Sequence, residues 1–146
     1  MMIATRERLR TEAEPQASRL EVEVGDTLDV LVVDDEPSIC SVLEEALGRS
    51  RCRVTTCTTG EQGIAEAKLR NFDIVFIDVM MPGMNGLQVL QVLQRAIPKA
   101  VFIMITGDPD SELVGGCLNE GALLSLCKPF SIAGVLDLVR DIANDR

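Results

Sequence analysis

Two hydrophobic patterns alternate along the chain from about residue 28 onward. Nearly continuous apolar runs of strand length cover residues 30–33, 74–77, 101–105 and 123–127. Such runs are typical of parallel strands that are covered on both faces. The stretch 51–57 instead alternates polar and apolar residues, so it predicts a strand at the edge of the sheet.

Between these runs, apolar residues recur at the three- and four-residue spacing of amphipathic helices, most clearly at 39–47, 87–97 and 132–142. Residues that favour helix N-termini stand before the second to fifth helical segments. These are Thr58 and Thr59, Asn85, Asp108 followed by Pro109, and Ser131. The pattern predicts five βα units, and right-handed crossovers then give a parallel five-stranded sheet with helices on both faces.

Length and charge exclude several classes of protein. The 146 residues suffice for one domain with a tail, and no window approaches the apolar length of a membrane-spanning helix. A net charge of −9 repels nucleic acids and anionic lipids, so direct binding to nucleic acid or membrane is not expected. Histidine is absent, which excludes a histidine general base and imidazole-ligated zinc.

Residues 1–27 are expected to form a flexible N-terminal extension before a domain at 28–146. Within the extension, residues 20–24 alternate apolar and acidic side chains. They fit a short extra strand, an extended contact with a partner, or a disordered leader. The N-terminus has no apolar leader segment, so we expect the protein in the cytoplasm.

Five cysteines without a CxxC motif are expected to be buried reduced thiols, as in cytosolic proteins. They are Cys40, Cys52, Cys57, Cys117 and Cys127.

Polar residues follow four of the predicted strands. Asp34 and Asp35 follow the first, Asp78 ends the third, Thr106 ends the fourth and Lys128 ends the fifth. Carboxyl ends of parallel strands lie on one edge, where ligands bind at the reversal of strand order. Each acid alone could be a helix cap, but capping does not explain the whole set.

The charges indicate what this edge binds. Two carboxylates about 4 Å apart repel by roughly 4 kcal/mol at an effective dielectric near 20. A hard divalent cation relieves that repulsion, and a few carboxylates suit Mg²⁺ better than a Ca²⁺ cage. Lys128 adds a permanent positive charge, and Thr106 adds a hydroxyl. Such a site suits phosphoryl transfer to a carboxylate nucleophile.

Four segments carry the polar residues at the strand ends: VVDDE at 32–36, FIDVMMPGMNG at 76–86, ITG at 105–107 and CKPF at 127–130. Together they resemble the receiver domain of two-component response regulators. The resemblance covers about residues 28–145 in the family's order. It implies a flavodoxin-like (βα)5 fold, α/β and doubly wound, with strand order 2-1-3-4-5.

The resemblance also implies roles for individual residues. Asp78 would accept a phosphoryl group from a sensor histidine kinase or a histidine phosphotransfer protein. Mg²⁺ would be held by Asp35, Asp78, the Met80 carbonyl and Asp34, the last partly through water.

Around the phosphoryl group, Thr106 would donate its hydroxyl to an oxygen, and Lys128 would pair with the acid cluster. Met80 and Asp108 would flank the path of an attacking water and tune hydrolysis. A cis peptide is implied before Pro129.

Two features depart from the family's pattern. Ser125 occupies the switch position, where receivers usually carry an aromatic residue, so the resemblance does not imply the usual aromatic coupling to the fourth helix. Gly115 and Gly116 lie within that helix and each costs roughly 1 kcal/mol relative to alanine. We hypothesise a marginal fourth helix that changes order or register on phosphorylation.

The leading hypothesis is a receiver without its own output domain that signals through a downstream protein target. Its chemistry would be limited to Mg²⁺-dependent self-phosphorylation and autodephosphorylation, so it is not a conventional enzyme. Alternatives are an interaction module that is never phosphorylated and the receiver portion of a longer transcriptional regulator. An aspartate-nucleophile phosphatase is disfavoured because that family has an Asp-x-Asp motif after its first strand.

Overall fold

A computed structural model describes residues 27–145, in which five strands and five helices alternate. The strands are β1 (Leu28–Val33), β2 (Cys52–Cys57), β3 (Ile74–Asp78), β4 (Val101–Thr106) and β5 (Leu124–Cys127). The helices are α1 (Pro37–Gly48), α2 (Gly60–Leu69), α3 (Gly86–Ala96), α4 (Glu112–Glu120) and α5 (Ile132–Asn144). The alternating stretch 20–24 and almost all of the expected extension lie outside the described residues.

All neighbouring strands are parallel, in the order β2-β1-β3-β4-β5. This order confirms the flavodoxin-like fold and places the alternating strand β2 at one edge. From β1 the chain moves outward to β2 at the edge and then crosses back to β3 on the other side of β1. The order therefore reverses between β1 and β3, which is where a doubly wound sheet opens a crevice at its carboxyl edge.

Alternate residues of each central strand enter two separate apolar cores, as the period of a strand requires. Leu31 and Val33 of β1 pack with the core that α2, α3 and α4 cover. Val30 and Val32 pack with the opposite core, under α1 and α5. A strand that contributes to both cores reads as a continuous apolar run, which explains the sequence pattern.

The fifth strand differs from the expectation of cover on both faces. Residues of β5 are half-buried, and Cys127 at its end is exposed. This strand pairs with β4 alone, so it forms the second edge of the sheet. The expectation of five buried thiols is therefore wrong for Cys127, while the other four cysteines are buried and free.

Most helix starts are where the capping residues predict them. The Thr59 hydroxyl accepts from the Gln62 amide at 3.1 Å, and Ser131 caps α5 by accepting from the Gly134 amide at 3.1 Å. Asn85 and Gln88 form a reciprocal capping box at the start of α3. The N-termini of α2, α3 and α5 are thus fixed by local side-chain chemistry.

The start of α4 is a correction. Asp108 and Pro109 do not begin the helix, which starts three residues later with Ser111 as its N-cap. The Ser111 hydroxyl accepts from the Leu113 amide at 3.1 Å. Asp108 lies in a turn instead, because its backbone hydrogen-bonds with the hydroxyl of Thr106. No helix within residues 27–145 is long and apolar enough to cross a bilayer.

Candidate functional site

Three carboxylates meet where the strand order reverses. Asp34 follows β1 and Asp78 ends β3, and these neighbouring strands pair in register at Val33 and Ile77. With Asp35, they offer one oxygen each, and the three oxygens lie within 4.8 Å of one another. Asp34 is 0% exposed and Asp78 is 4% exposed. The predicted acid cluster is therefore assembled, and two of its members are buried.

Each oxygen of Asp78 has a defined neighbour. The Met80 amide donates to Oδ1 at 3.2 Å, and Lys128 Nζ lies 3.5 Å from Oδ2. The turn after β3 is held close to the sheet because the Gly86 amide donates to the Val79 carbonyl at 2.8 Å. This turn presents the carboxylate at the carboxyl edge of the sheet.

Gly86 is a supporting residue that the sequence reasoning missed. A Cβ built there would lie 2.6 Å from the Asp78 carbonyl oxygen and 2.7 Å from Val79 Cα. Both neighbours are backbone atoms and cannot yield cheaply, so the start of α3 approaches the end of β3 this closely with glycine alone. The sequence signal was the glycine that directly follows the cap Asn85, but its purpose depends on a tertiary contact.

The two oxygens of Asp34 differ in their surroundings. Oδ1 accepts a hydrogen bond from the Glu36 amide at 2.9 Å. Oδ2 is buried and accepts no hydrogen bond from the described part of the chain, although Lys128 Nζ lies 3.2 Å away in an ion pair. A buried carboxylate oxygen without a hydrogen bond is costly, so this atom has capacity for a further cationic partner.

Lys128 is the cation of the site. It follows β5, its amide donates to the Thr106 carbonyl at 2.7 Å, and the implied cis peptide before Pro129 is present. Nζ contacts Glu36 as well as Asp34 and Asp78. Burial disfavours the charged amine, but the hydrogen bond to Glu36 and the charges of the two aspartates prevail, and the pKa of Lys128 is raised.

The phosphoacceptor candidate has a perturbed acidity. Burial, then the charge of Asp34 and a hydrogen bond with Asp35, raise the pKa of the Asp78 carboxyl from 3.8 to about 7. Lys128 and the Met80 amide act in the opposite direction but do not compensate. One lysine therefore does not neutralise this set of acids, and the ionised form of Asp78 calls for additional positive charge.

The remaining predicted residues surround the acids in different ways. Thr106 is buried, and its hydroxyl donates to the Asp108 carbonyl at 3.0 Å rather than to Asp78. Asp108 and Met80 are exposed, Met80 at 60%, whereas the neighbouring Met81 is buried. Ser125 is half-buried within β5.

The donor set fits a divalent cation. Three carboxylate oxygens within 4.8 Å, one of them buried without a hydrogen bond, match the preference of Mg²⁺ for a few carboxylates. Asp35 is half-buried, so the cluster is not closed to water. The residues that would hold the ion are Asp34, Asp35 and Asp78, and the Met80 carbonyl stays a predicted fourth ligand.

Fold and site together define an acidic centre where the strand order of a doubly wound sheet reverses, and comparison with known proteins identifies the family. Residues 30–140 match the model of the response regulator receiver domain. The chain belongs to this family and is a receiver domain of two-component response regulators.

Two curated relatives and one solved structure illustrate the match. A probable transcriptional regulatory protein, TcrX of Mycobacterium tuberculosis, is 36% identical over 77% of this chain and 48% of its own length. The DNA-binding transcriptional regulator NtrC of Salmonella typhimurium is 34% identical over 75% of this chain and 24% of its own length.

A CheY-like receiver domain protein of Methanospirillum hungatei superposes with a TM-score of 0.78 at 24% identity, over 82% of this chain and 95% of that one. This likeness shows the fold. The chain spans half or less of the two curated relatives' lengths.

Proposed function

We propose that this receiver domain accepts a phosphoryl group on Asp78 from a phosphohistidine, with Mg²⁺ bound by Asp34, Asp35 and Asp78. The observation that carries the proposal is the convergence of two buried aspartates and Lys128 around the crevice between β1 and β3. This set of side chains carries more negative than positive charge. Binding of a cation relieves that surplus, and a carboxylate of the set can accept an electrophilic phosphoryl group.

In the proposed reaction, an oxygen of Asp78 attacks the phosphorus, and the P–N bond to the donor imidazole breaks. The electron pair of that bond stays on the imidazole nitrogen, which takes a proton from solvent, and the product is an acyl phosphate. Lys128 pairs with a phosphoryl oxygen. When bound, Mg²⁺ supplies charge neutralisation at the equatorial phosphoryl oxygens.

Thr106 must reorient to take part in this reaction. Its hydroxyl is engaged with the turn at Asp108, where it donates to the carbonyl and accepts from the amide at 2.9 Å. Donation to a phosphoryl oxygen would release this turn. The β4–α4 connection is therefore the proposed route by which phosphorylation reaches α4, without an aromatic residue at position 125.

Met80 and Asp108 are proposed to tune loss of the phosphoryl group. Met80 is exposed next to Asp78 and offers a thioether that bonds weakly to water. It therefore covers one approach to the acyl phosphate without orienting an attacking water. A Met80→Asn variant should lose phosphate faster than wild type.

The decisive experiment is intact mass after incubation with acetyl phosphate, with and without Mg²⁺, on wild type and Asp78→Asn. We expect a single phosphoryl adduct that requires both Mg²⁺ and Asp78. Surface-exposed Asp137→Asn serves as the matched control and should be phosphorylated like wild type. A folded wild type without an adduct would support the unphosphorylated interaction module instead.

The longer relatives support a second possibility for the downstream step. TcrX and NtrC are named as transcriptional regulators, and this chain aligns with a part of each. The sequence therefore also fits the receiver portion of a longer regulator, in which another domain would contact DNA. In either case the proposed donor is a sensor histidine kinase or a histidine phosphotransfer protein.

Two further expectations stay predictions. They are a cytoplasmic location and a boundary between the N-terminal extension and the domain at residue 28.

A further inference from the structure

Glu36 is a charged residue beside the site that the proposed chemistry leaves unused. It immediately precedes Pro37 at the N-terminus of α1, where a carboxylate is well placed to cap the helix. Its side chain makes no capping hydrogen bond. It is 54% exposed and accepts a hydrogen bond from Lys128 Nζ, 92 residues away in sequence. The Glu36 carboxylate therefore forms an ion pair with Lys128 instead of capping the N-terminus of α1.

The backbone around Glu36 is fixed by the acid site itself. Its amide donates to Asp34 Oδ1 at 2.9 Å, and its carbonyl accepts from the Ile39 amide at 3.0 Å. These bonds tie the residue to the buried aspartate on one side and to the first turn of α1 on the other. The Glu36 carboxylate therefore reaches Lys128 from a rigid position at the exposed rim.

The contacts of Lys128 are unequal. An ammonium group has three N–H donors, and three carboxylates surround Nζ. The contact to Glu36 is the shortest, Asp34 Oδ2 lies at 3.2 Å, and Asp78 Oδ2 lies at 3.5 Å. Nζ thus lies nearest to the acid on the rim and farthest from the phosphoacceptor candidate.

We propose that Glu36 is a positioning residue that restrains Lys128 at the rim and competes with the phosphoryl group for it. The inference rests on the proposed phosphoryl transfer to Asp78. Removing the carboxylate frees Lys128 to approach Asp78 and removes a negative charge that faces an anionic phosphodonor. Both effects favour the reaction, so Glu36 slows phosphorylation of this receiver.

The test measures the rate of phosphorylation by acetyl phosphate in Mg²⁺, followed by intact mass. Glu36→Ala should react several-fold faster than wild type, and Glu36→Gln should show part of that gain because its amide oxygen still accepts from Lys128. Glu44→Gln is the matched control, with the same change of charge eight residues further along α1, about 12 Å by helix rise. It should react at the wild-type rate.

A background that lacks Lys128 separates restraint of this lysine from a general effect of charge. In a Lys128→Met protein the overall rate falls, and Glu36→Gln should give a clearly smaller gain than it gives beside Lys128, because only the loss of negative charge can then act. An equal gain in both backgrounds would mean that Glu36 acts through charge alone and would overturn the inference.

A readout independent of phosphorylation is the double-mutant cycle of the same two substitutions on urea unfolding without donor. We expect a favourable coupling between Glu36 and Lys128, and zero coupling would contradict the restraint. If wild type forms the Asp78 adduct but both Glu36 variants match its rate, the inference alone fails. If wild type forms no adduct, the proposed function fails and the inference falls with it.

Discussion

At the scale of single residues, the site shows how burial alters the acidity of a carboxyl group. Asp34 and Asp78 are almost completely withdrawn from water, and one lysine is shared among three acids. Burial disfavours the charged form of the Asp78 carboxyl group more strongly than the shared Lys128 favours it, so its pKa is raised. The structure therefore keeps the Asp78 carboxylate in a state that the proposed cation and phosphoryl group would both relieve.

Asp78→Asn should stabilise the metal-free protein, and more so at pH 8 than at pH 5. The Asp78 pKa is raised from 3.8 to about 7, so its contribution to stability is fully present below pH about 4 and is lost as pH rises through about 7. The neutral amide avoids that loss. We expect a gain on the order of 1 kcal/mol at pH 8, measured by thermal unfolding with a metal chelator.

Asp137→Asn controls for the loss of any acid, because Asp137 is 68% exposed in its side chain and pairs with Arg140 on the surface of α5. It should change stability little at either pH. Saturating Mg²⁺ should reverse the order of wild type and Asp78→Asn at pH 8, since the ion stabilises the carboxylate. An equal gain at both pH values for Asp78→Asn would contradict the assigned acidity.

Strand-end position made Asp34, Asp78 and Lys128 predictable from the sequence, because a parallel sheet must bring its carboxyl ends to one edge. The contact between Glu36 and Lys128 could not be predicted from the sequence, because it depends on how far two long side chains reach across the crevice. The close approach of Gly86 to the Asp78 carbonyl likewise depends on the separation of α3 and β3. Local pattern specifies which residues reach the edge, and packing specifies their partners.

At the scale of elements, α4 is the most weakly specified helix. It is the shortest, with 9 residues, and contains Gly115 and Gly116. The sequence placed its start at Pro109 because Asp followed by Pro is a strong start signal. The helix begins later because Asp108 lies in a turn, where its backbone hydrogen-bonds with the Thr106 hydroxyl. A helix with a displaced start and two glycines is a suitable element to respond to the site.

Gly115→Ala should stabilise the protein by about 0.5–1 kcal/mol, because alanine costs less backbone entropy in a helix. A Cβ at Gly115 would meet no atom within 4 Å, so no packing penalty offsets the gain. At Gly116 a Cβ would lie 3.2 Å from Leu87 Cδ2 on α3, so Gly116→Ala should gain less or lose stability. Urea unfolding of the two variants checks the difference.

Hydrogen exchange of the α4 amides tests the hypothesis of a marginal helix directly. Wild type should exchange faster in α4 than in α3, and Gly115→Ala should slow exchange in α4. If the α4 amides of wild type already exchange as slowly as those of α3, the helix is not marginal, and another element must carry the response.

At the scale of the whole molecule, one sheet joins two cores. Each central strand contributes alternate residues to the core under α2, α3 and α4 and to the core under α1 and α5. Both cores contain residues of the same strands, so we expect them to fold and unfold in one cooperative transition. Responses that leave the sheet intact would then be confined to the helices that cover it, and α4, the shortest helix within residues 27–145, is the one we propose.

The buried thiols report on this cooperativity core by core. Cys57 belongs to the first core and Cys40 to the second, so alkylation pulses across a urea series should expose both with one midpoint. Cys127 is exposed and should label throughout, which calibrates the pulse. Cys117 lies buried on α4, so opening of that helix should label it below the common midpoint. Separate midpoints for Cys40 and Cys57 would mean that the two cores unfold independently, and the sheet could then no longer confine the response to α4.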